Sequence, residues 1–257
     1  MSRQSSYAAS HDGFTLADVV SYTHRHNETN GENNNDGLRE NYSANWGVEG
    51  PATDTSILET RARIQRAMLA TVMFAHGTPM LLGGDEWGRT QGGNNNAYCQ
   101  DNETSWWNWT LANSAQGRSL QVFVAKLIAL RQEHTALRSR HFLHGLREPA
   151  PGIFDIAWFE ANGEMIAEAS WKNPEVRLLC LRRATRNGDG TVSLLNLLLN
   201  PTGEDRFFRL PDPVLPARVL IDSARPDTGE PAVNDNKIDV LSHSAVLVYA
   251  RLENPPR

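Results

Sequence analysis

The sequence predicts two fold classes in series, α/β first and all-β second. Two observations carry this. Up to about residue 138 the order is strand, helix, strand, helix, with long polar loops after the strands. After about residue 140 the chain becomes a series of short β-type runs divided by turn signals, with no long helix. The expected domains are therefore residues 1–138 and 139–257, the second an antiparallel β-sandwich.

Each element has its own signature. YAASHD (7–12) reads as a short strand of small residues ending in two polar ones. Thr15 with Asp18 three later resembles a capping box for a short helix, LADVVSY. Residues 23–56 are irregular and rich in Asn and Gly, the residues that tolerate left-handed backbone and turns. Loops this long inside a domain are uncommon and usually functional or disordered, and Tyr42 and Trp46 argue for order here. Residues 56–75 carry Ile57, Ile64, Met68, Val72 and Ala75 at helical spacing, widened by Leu69 and Met73. Thr53 to Ser56 offer N-caps, and Gly77 stands where a left-handed C-terminal residue belongs. TPMLL (78–82) is a continuous apolar run, the pattern of a strand covered on both faces. A second helix over roughly 118–135 aligns Leu120, Phe123, Leu127 and Leu130. Further on, IFDIAWF, RLLCLRR, TVSLLNLLLN, RFFRL, ARVLID and AVLVYA are strands, with turns at 162–163, 187–190, 200–203 and 226–229.

In parallel βα architectures the loops after strands gather at one face, where sites are built. The loops 11–55 and 83–117 both follow strands and are expected to share that face.

Composition narrows the function. Among 257 residues, 40% are apolar and 21% charged, enough for a real core. The net charge of −5 and the absence of a basic stripe argue against nucleic acid and anionic membrane as partners. Two distant cysteines, Cys99 and Cys180, form neither a disulfide framework nor a metal spacing. The first residues show no apolar signal region, no stretch is long enough to span a bilayer, and the expected setting is cytoplasmic.

The candidate chemistry lies in the two polar loops. His11-Asp12, a carboxylate beside an imidazole, suits hydroxyl binding or acid–base work, although by itself the pair fits an N-cap at least as well. Asp85-Glu86 follows two glycines, with Arg89 as a salt-bridge partner, and a loop-fixing role competes with a catalytic one. Asn94, Asn95, Asn96, Tyr98 and Gln100, with Trp106, Trp107 and Trp109, suggest a carbohydrate surface. Amides pair with vicinal hydroxyls, and flat rings stack on pyranose faces. The tryptophans serve equally well as cover for a rim. His24, His26, Glu28 and Glu32 fit no firm metal motif. No metal or cofactor is expected.

These segments carry a family resemblance. SHDGFTLADVVSY, HNETNGENNNDG, ENYSANWGVEGP and GTPMLLGGDEWGRTQGGNNNAYCQDN, in this order, resemble the bacterial glycogen debranching enzymes, isoamylase-type glycoside hydrolases of the α-amylase superfamily. The match is dense over residues 7 to 110, looser to 138 and general thereafter. The resemblance implies the last two βα units of a (β/α)8 barrel followed by a β-sandwich, with TPMLL as the eighth strand. It implies hydrolysis, with retention, of α-1,6 branch linkages in glycogen or limit dextrin. It gives Asp12 the task of holding sugar hydroxyls and stabilising an oxocarbenium-like transition state, with His11 assisting. Asp85, Glu86, Trp87, Arg89, Asn94, Asn95, Asn96 and Tyr98 would line the rim of an α-glucan cleft.

One departure is large. Retaining glycosidases need a nucleophile and an acid/base carboxylate. The family places both upstream of the His-Asp pair, and only ten residues precede His11 here. The expectation is therefore the C-terminal part of such an enzyme, inactive alone, with a separately encoded N-terminal barrel portion as one partner to consider. The competing expectation is a non-catalytic or vestigial α-glucan-binding module.

Overall fold

The computed structural model describes residues 5–139, 141–227, 233 and 235–253. The chain divides into two compact units, residues 1–128 and 129–257.

In the first unit, strand β1 (Ser5–Ser6) pairs in parallel with β2 (Thr78–Pro79), Ser5 opposite Thr78. Between them lie α1 (Leu16–Val19) and α2 (Thr55–Phe74). A short helix, α3 (Trp109–Ala112), precedes α4 (Ala115–Glu133), which crosses the boundary between the units.

Both expected strands shrink. Residues 7–12 are not a strand; β1 lies just before them. Ser10 Oγ instead donates to the carbonyl of Asp12, a local turn bond that competes with extended pairing. The TPMLL run pairs only at its first two residues, and one more bond runs from Met80 N to Ser6 O at 2.9 Å. The run is not covered on both faces: Met80 is 40% exposed.

The helices follow their signals. Thr15 caps α1 through its hydroxyl, which accepts from Asp18 N at 3.2 Å. Asp54 caps α2 by accepting from Ser56 N at 2.8 Å. The buried stripe of α2 differs from the apolar one. Leu69, Val72 and Met73 are buried, but N-terminal to them the same stripe holds Arg61 and Gln65. Leu120, Phe123, Leu127 and Leu130 of α4 are all buried.

The second unit is an antiparallel sheet of β3 (Ile156–Phe159), β4 (Leu179–Arg186), β5 (Val192–Asn200), β9 (Ser244–Leu252) and β7 (Ala217–Asp222), in that spatial order. A second pair, β6 (Arg206–Arg209) with β8 (Lys237–Val240), forms its own two-stranded sheet. The pair packs on the larger sheet. Phe208, Ile238 and Val240 share one apolar cluster with Cys180, Leu198, Val246 and Val248. Residues of β5 on both faces are buried, because the turn at Thr135–Arg138 packs against β4 and β5. Strand β8 escaped the sequence reading. It is four residues long, and two of them are charged, yet Ile238 and Val240 point into the core. A one-turn helix, α5 (Glu168–Trp171), was also unforeseen. The turn at 226–229 lies partly outside the described residues.

Candidate functional site

The two long polar loops of the first unit are sewn together. Gly13 N donates to Asn95 O at 3.0 Å, and His26 N donates to Gly93 O at 2.7 Å. The parallel pairing of β1 and β2 starts both loops from the same side, so the segment after β1 and the segment after β2 meet.

Asn27 is the centre of the seam. Its Oδ1 accepts from Asn95 N at 2.9 Å, and its Nδ2 donates to Asn95 Oδ1 at 2.8 Å and to Asp36 O at 3.1 Å. Asn95 in turn donates from Nδ2 to Leu38 O at 2.9 Å and Asn41 Oδ1 at 2.7 Å. Asn94 Nδ2 donates to Asn30 Oδ1 at 2.8 Å, and Gln100 Nε2 donates to the same oxygen at 2.8 Å. Asn30 and Asn96 both donate to Asp36 Oδ2 at 2.7 Å. Those two bonds favour the ionised carboxyl and hold Asp36 below the usual carboxylate range. Gly37, at φ +74°, has no room for a side chain: a Cβ there would sit 2.2 Å from Asn95 Oδ1.

The amides predicted as sugar contacts are thus largely spoken for. Asn94 and Asn95 are buried and bonded inside the protein. Asn96 is half-buried in the same network. Tyr98 is the opposite case, 83% exposed.

Around Asp85 the structure is also internal. Asp85 is buried, and its Oδ1 accepts from Leu16 N at 3.0 Å, at the start of α1. Burial pushes its carboxyl up to about 7; Glu86 and Asp18 add to the rise, while the Leu16 N–H and Arg89 oppose it. Asp18, buried too, accepts from Thr90 Oγ1 and from Gln91 N, the latter at 2.8 Å. Burial raises its pKa despite these donors. Glu86 Oε2 accepts from Gly84 N at 2.9 Å, and Arg89 Nη2 donates to Ser105 O at 3.0 Å. Trp87 is buried against Trp107 and Trp109, with ring centroids 5.3 and 5.9 Å away. Trp106, Trp107 and Trp109 keep 59%, 47% and 61% of their surface exposed, so the patch is cover on one side and free ring on the other.

His11 and Asp12 stand apart from this interior. Their side chains are 85% and 73% exposed, and His11 Nε2 lies 3.6 Å from Asp12 Oδ2, too far for a hydrogen bond. They belong to a bend beyond β1 rather than to a strand end, next to Gly13 and therefore beside Asn95.

Two further residues organise the first of these loops. Glu49 accepts from Thr23 N and Oγ1, His24 N and Asn45 Nδ2, and faces His26 Nε2 at 3.2 Å. Burial would raise its carboxyl, but these donors outweigh it and hold the group far below the usual range. Arg61 of α2 donates to the carbonyls of Gly50, Asn45 and Val48 and closes the end of the same loop. A signal was available for Arg61, a cation in the buried stripe of an otherwise amphipathic helix. His26 faces Glu49 rather than Glu28 or Glu32, and among the described residues no group of three or more His, Cys, Asp or Glu is placed to hold a metal. No described helix is long and apolar enough to cross a membrane.

No family model matches the chain. Single proteins do. It is 48% identical over 168 residues to the glycogen operon protein GlgX homolog of Mycobacterium tuberculosis, covering 64% of this chain and 23% of that protein. It is 43% identical over 172 residues to the glycogen debranching enzyme of Serratia proteamaculans, covering 66% and 24%. The chain therefore spans about a quarter of the length of the curated relatives it matches. Among solved structures, a pullulanase from Bacillus acidopullulyticus superposes with a TM-score of 0.58 at 16% identity, over 95% of this chain and 24% of that one. The catalytic module of the glycogen-degrading pneumococcal virulence factor SpuA gives 0.54 at 16% identity, over 95% and 35%. In sequence the chain is similar to part of proteins named glycogen debranching enzyme, and in fold it is like the pullulanases.

Proposed function

We propose that this chain supplies the final two βα units of an α-glucan debranching barrel and the β-sandwich that follows them. The reaction would be retaining hydrolysis of α-1,6 branches in glycogen or limit dextrin, in a cytoplasmic setting. One observation carries the reading: the two polar loops of a debranching-enzyme relative are clasped on one side, through Asn27 and Asn95, beside an exposed His11-Asp12 pair.

In this reading Asp12 binds sugar hydroxyls and offsets the positive charge that grows on the ring at the transition state. His11 assists as a hydrogen-bond partner of the same sugar. The exposed ring of Tyr98 offers a stacking face. Asp85, Glu86, Trp87, Arg89, Asn94, Asn95 and Asn96 act from beneath. They fix the rim so that its exposed groups are held before the glucan arrives, which lowers the entropy cost of binding.

Asp12 alone cannot act as both nucleophile and general acid. Asp18 and Asp85, the buried carboxylates nearby, are committed to holding α1 and the loop after β2. Hydrolysis therefore needs an upstream barrel portion with the missing Asp and Glu, in the same polypeptide or as a partner chain. The 257-residue chain by itself is expected to release no new reducing ends from a branched limit dextrin. Release above a buffer blank that Asp12→Asn abolishes would overturn the assignment of the missing carboxylates. If the chain is instead a non-catalytic α-glucan-binding module, it would retard in a glycogen-containing native gel, would lose that retardation in Tyr98→Ala, and would stay inert when an upstream portion is added.

A further inference from the structure

The second unit holds a cleft that the debranching reading leaves unused. It has a volume of about 690 Å³. Its wall includes three guanidinium groups, Arg138, Arg147 and Arg186, and two imidazoles, His141 and His144. The volume falls in the range of small-molecule sites. The net charge of the protein is −5, so this basic cluster is not a by-product of a basic chain.

Among the described residues, two arginines of this cleft lack the carboxylate partner that four others in the same unit have. Arg225 pairs with Asp222 and Asp239, Arg251 with Asp189 and Glu253, Arg206 with Glu204, and Arg177 with Glu175. Arg138 and Arg147 form no ion pair among the described residues. Arg138 is held by carbonyls alone: its Nε donates to Arg131 O at 2.9 Å and its Nη2 to Gln132 O at 2.6 Å. Arg186 donates to Pro149 O at 2.9 Å and Gly190 O at 3.0 Å. Carbonyl dipoles orient a guanidinium without cancelling its charge, as a carboxylate would.

The one carboxylate among the described residues of the wall is occupied elsewhere. Asp155 is buried, and its Oδ1 accepts from Gly145 N and Ile156 N, both at 2.9 Å. His144 Nδ1 accepts from Leu146 N at 3.2 Å, so in the neutral ring Nε2 carries the proton and is a donor. Behind the cleft the cations crowd one another. Burial first, and then the charge of Arg138, depress Arg131; burial and then Arg131 bring Arg183 down to about 10. Thr135, Ser139 and Thr185 add hydroxyls, and Phe142 adds an apolar face.

We propose that this cleft binds a phosphate monoester on a small, hydroxyl-rich molecule, with Arg138 and Arg147 on the phosphoryl oxygens. A guanidinium matches a phosphoryl group by paired N–H donors, and two of them with an imidazole donor satisfy its three oxygens. The hydroxyls and the Phe142 face then meet the organic part. This site is independent of the debranching assignment, since no residue of the first unit takes part.

The test is calorimetric titration of the full chain with inorganic phosphate, glucose 6-phosphate, an α-glucan carrying phosphate esters, and unphosphorylated glucose. The expected result is saturable binding of inorganic phosphate, tighter binding of a phosphorylated ligand, and none of glucose in the cleft. Arg147→Ala, at an exposed position, should weaken phosphate binding roughly tenfold, the loss of one charge-assisted contact. Arg147→Glu should abolish it while the far-ultraviolet dichroism stays unchanged. Tighter binding of glucose 6-phosphate than of the phosphorylated glucan identifies a free metabolite as the source of the ester, and the reverse identifies the polymer. The proposal is overturned if inorganic phosphate does not bind, or binds equally to the wild-type chain and Arg147→Glu.

Discussion

At the scale of single residues, the loops are organised by groups that a sequence reader takes for ligands. Asp85 is the clearest. A buried carboxyl raised to about 7 binds its proton more tightly folded than unfolded between its ordinary value near 3.8 and 7, so it costs stability as pH rises through that window. Asp85→Asn keeps an acceptor for Leu16 N and removes the charge. It should stabilise the chain by roughly 2–4 kcal/mol at pH 8 and very little at pH 4. Denaturant melts at both pH values check this, and equal differences at the two would sink it. Asn27 makes the opposite case. Asn27→Ala leaves the buried Asn95 N–H and Oδ1 unmet and should cost about 2–4 kcal/mol. A thermal shift within error of zero would show that the seam does not hold the loops. His11, Asp12 and Tyr98 are exposed, and their alanine variants should leave the melting temperature unchanged.

At the scale of elements, α2 and β5 show where pattern reading works and where it stops. The N-terminus of α2 was legible because capping is local, and Asp54 caps as its sequence suggests; its C-terminus was not, since the cap is Ala75 in extended backbone rather than the expected Gly77. Its buried face was not, because Arg61 and Gln65 lie in it and Arg61 answers to the carbonyls of a loop 11 or more residues away. Arg61→Met should cost about 2–3 kcal/mol and speed amide exchange over residues 45–50, measured by mass spectrometry. Protection unchanged there would mean the loop is held without it. In β5, the run TVSLLNLLLN encodes a strand buried on both faces, and Leu198→Ala, in the core between the two sheets, should cost about 2–5 kcal/mol. A loss under about 1 kcal/mol would mean that the two sheets close over the gap. The strand at 7–12 and the full length of TPMLL were misread for one reason. Strand length is set by the neighbour: β1 and β2 pair at two residues each, and residues 7–12 and the rest of TPMLL lie beyond that pairing.

At the scale of the whole molecule, the proposed hydrolysis needs a nucleophile and an acid/base carboxylate besides Asp12. In the proposed reading Asp12 is neither of these two; it binds the sugar beside a rim of amides and rings. The chain spans about a quarter of the length of the relatives it matches. Adding an upstream barrel portion to the purified chain should create limit-dextrin hydrolysis that Asp12→Asn suppresses by about 10²-fold or more. Equal rates for the wild-type chain and the Asp12→Asn variant would remove Asp12 from the mechanism.

The sequence alone determined what is local or periodic. It set the change of class near residue 140, the N-caps of the first two helices and most of the β runs. It also singled out the two Asn-rich loops as polar, irregular segments, because composition and short-range spacing encode these directly. Only the tertiary structure decided which polar groups face inward. Asn94, Asn95 and Asp85 look like ligands for a sugar and instead bind Asn30, Asn27 and α1. The physical reason is that hydrogen-bonding capacity is the same whether an amide meets a hydroxyl or another amide. Which partner it takes depends on what the fold brings within about 3 Å, and that is a property of two distant segments together.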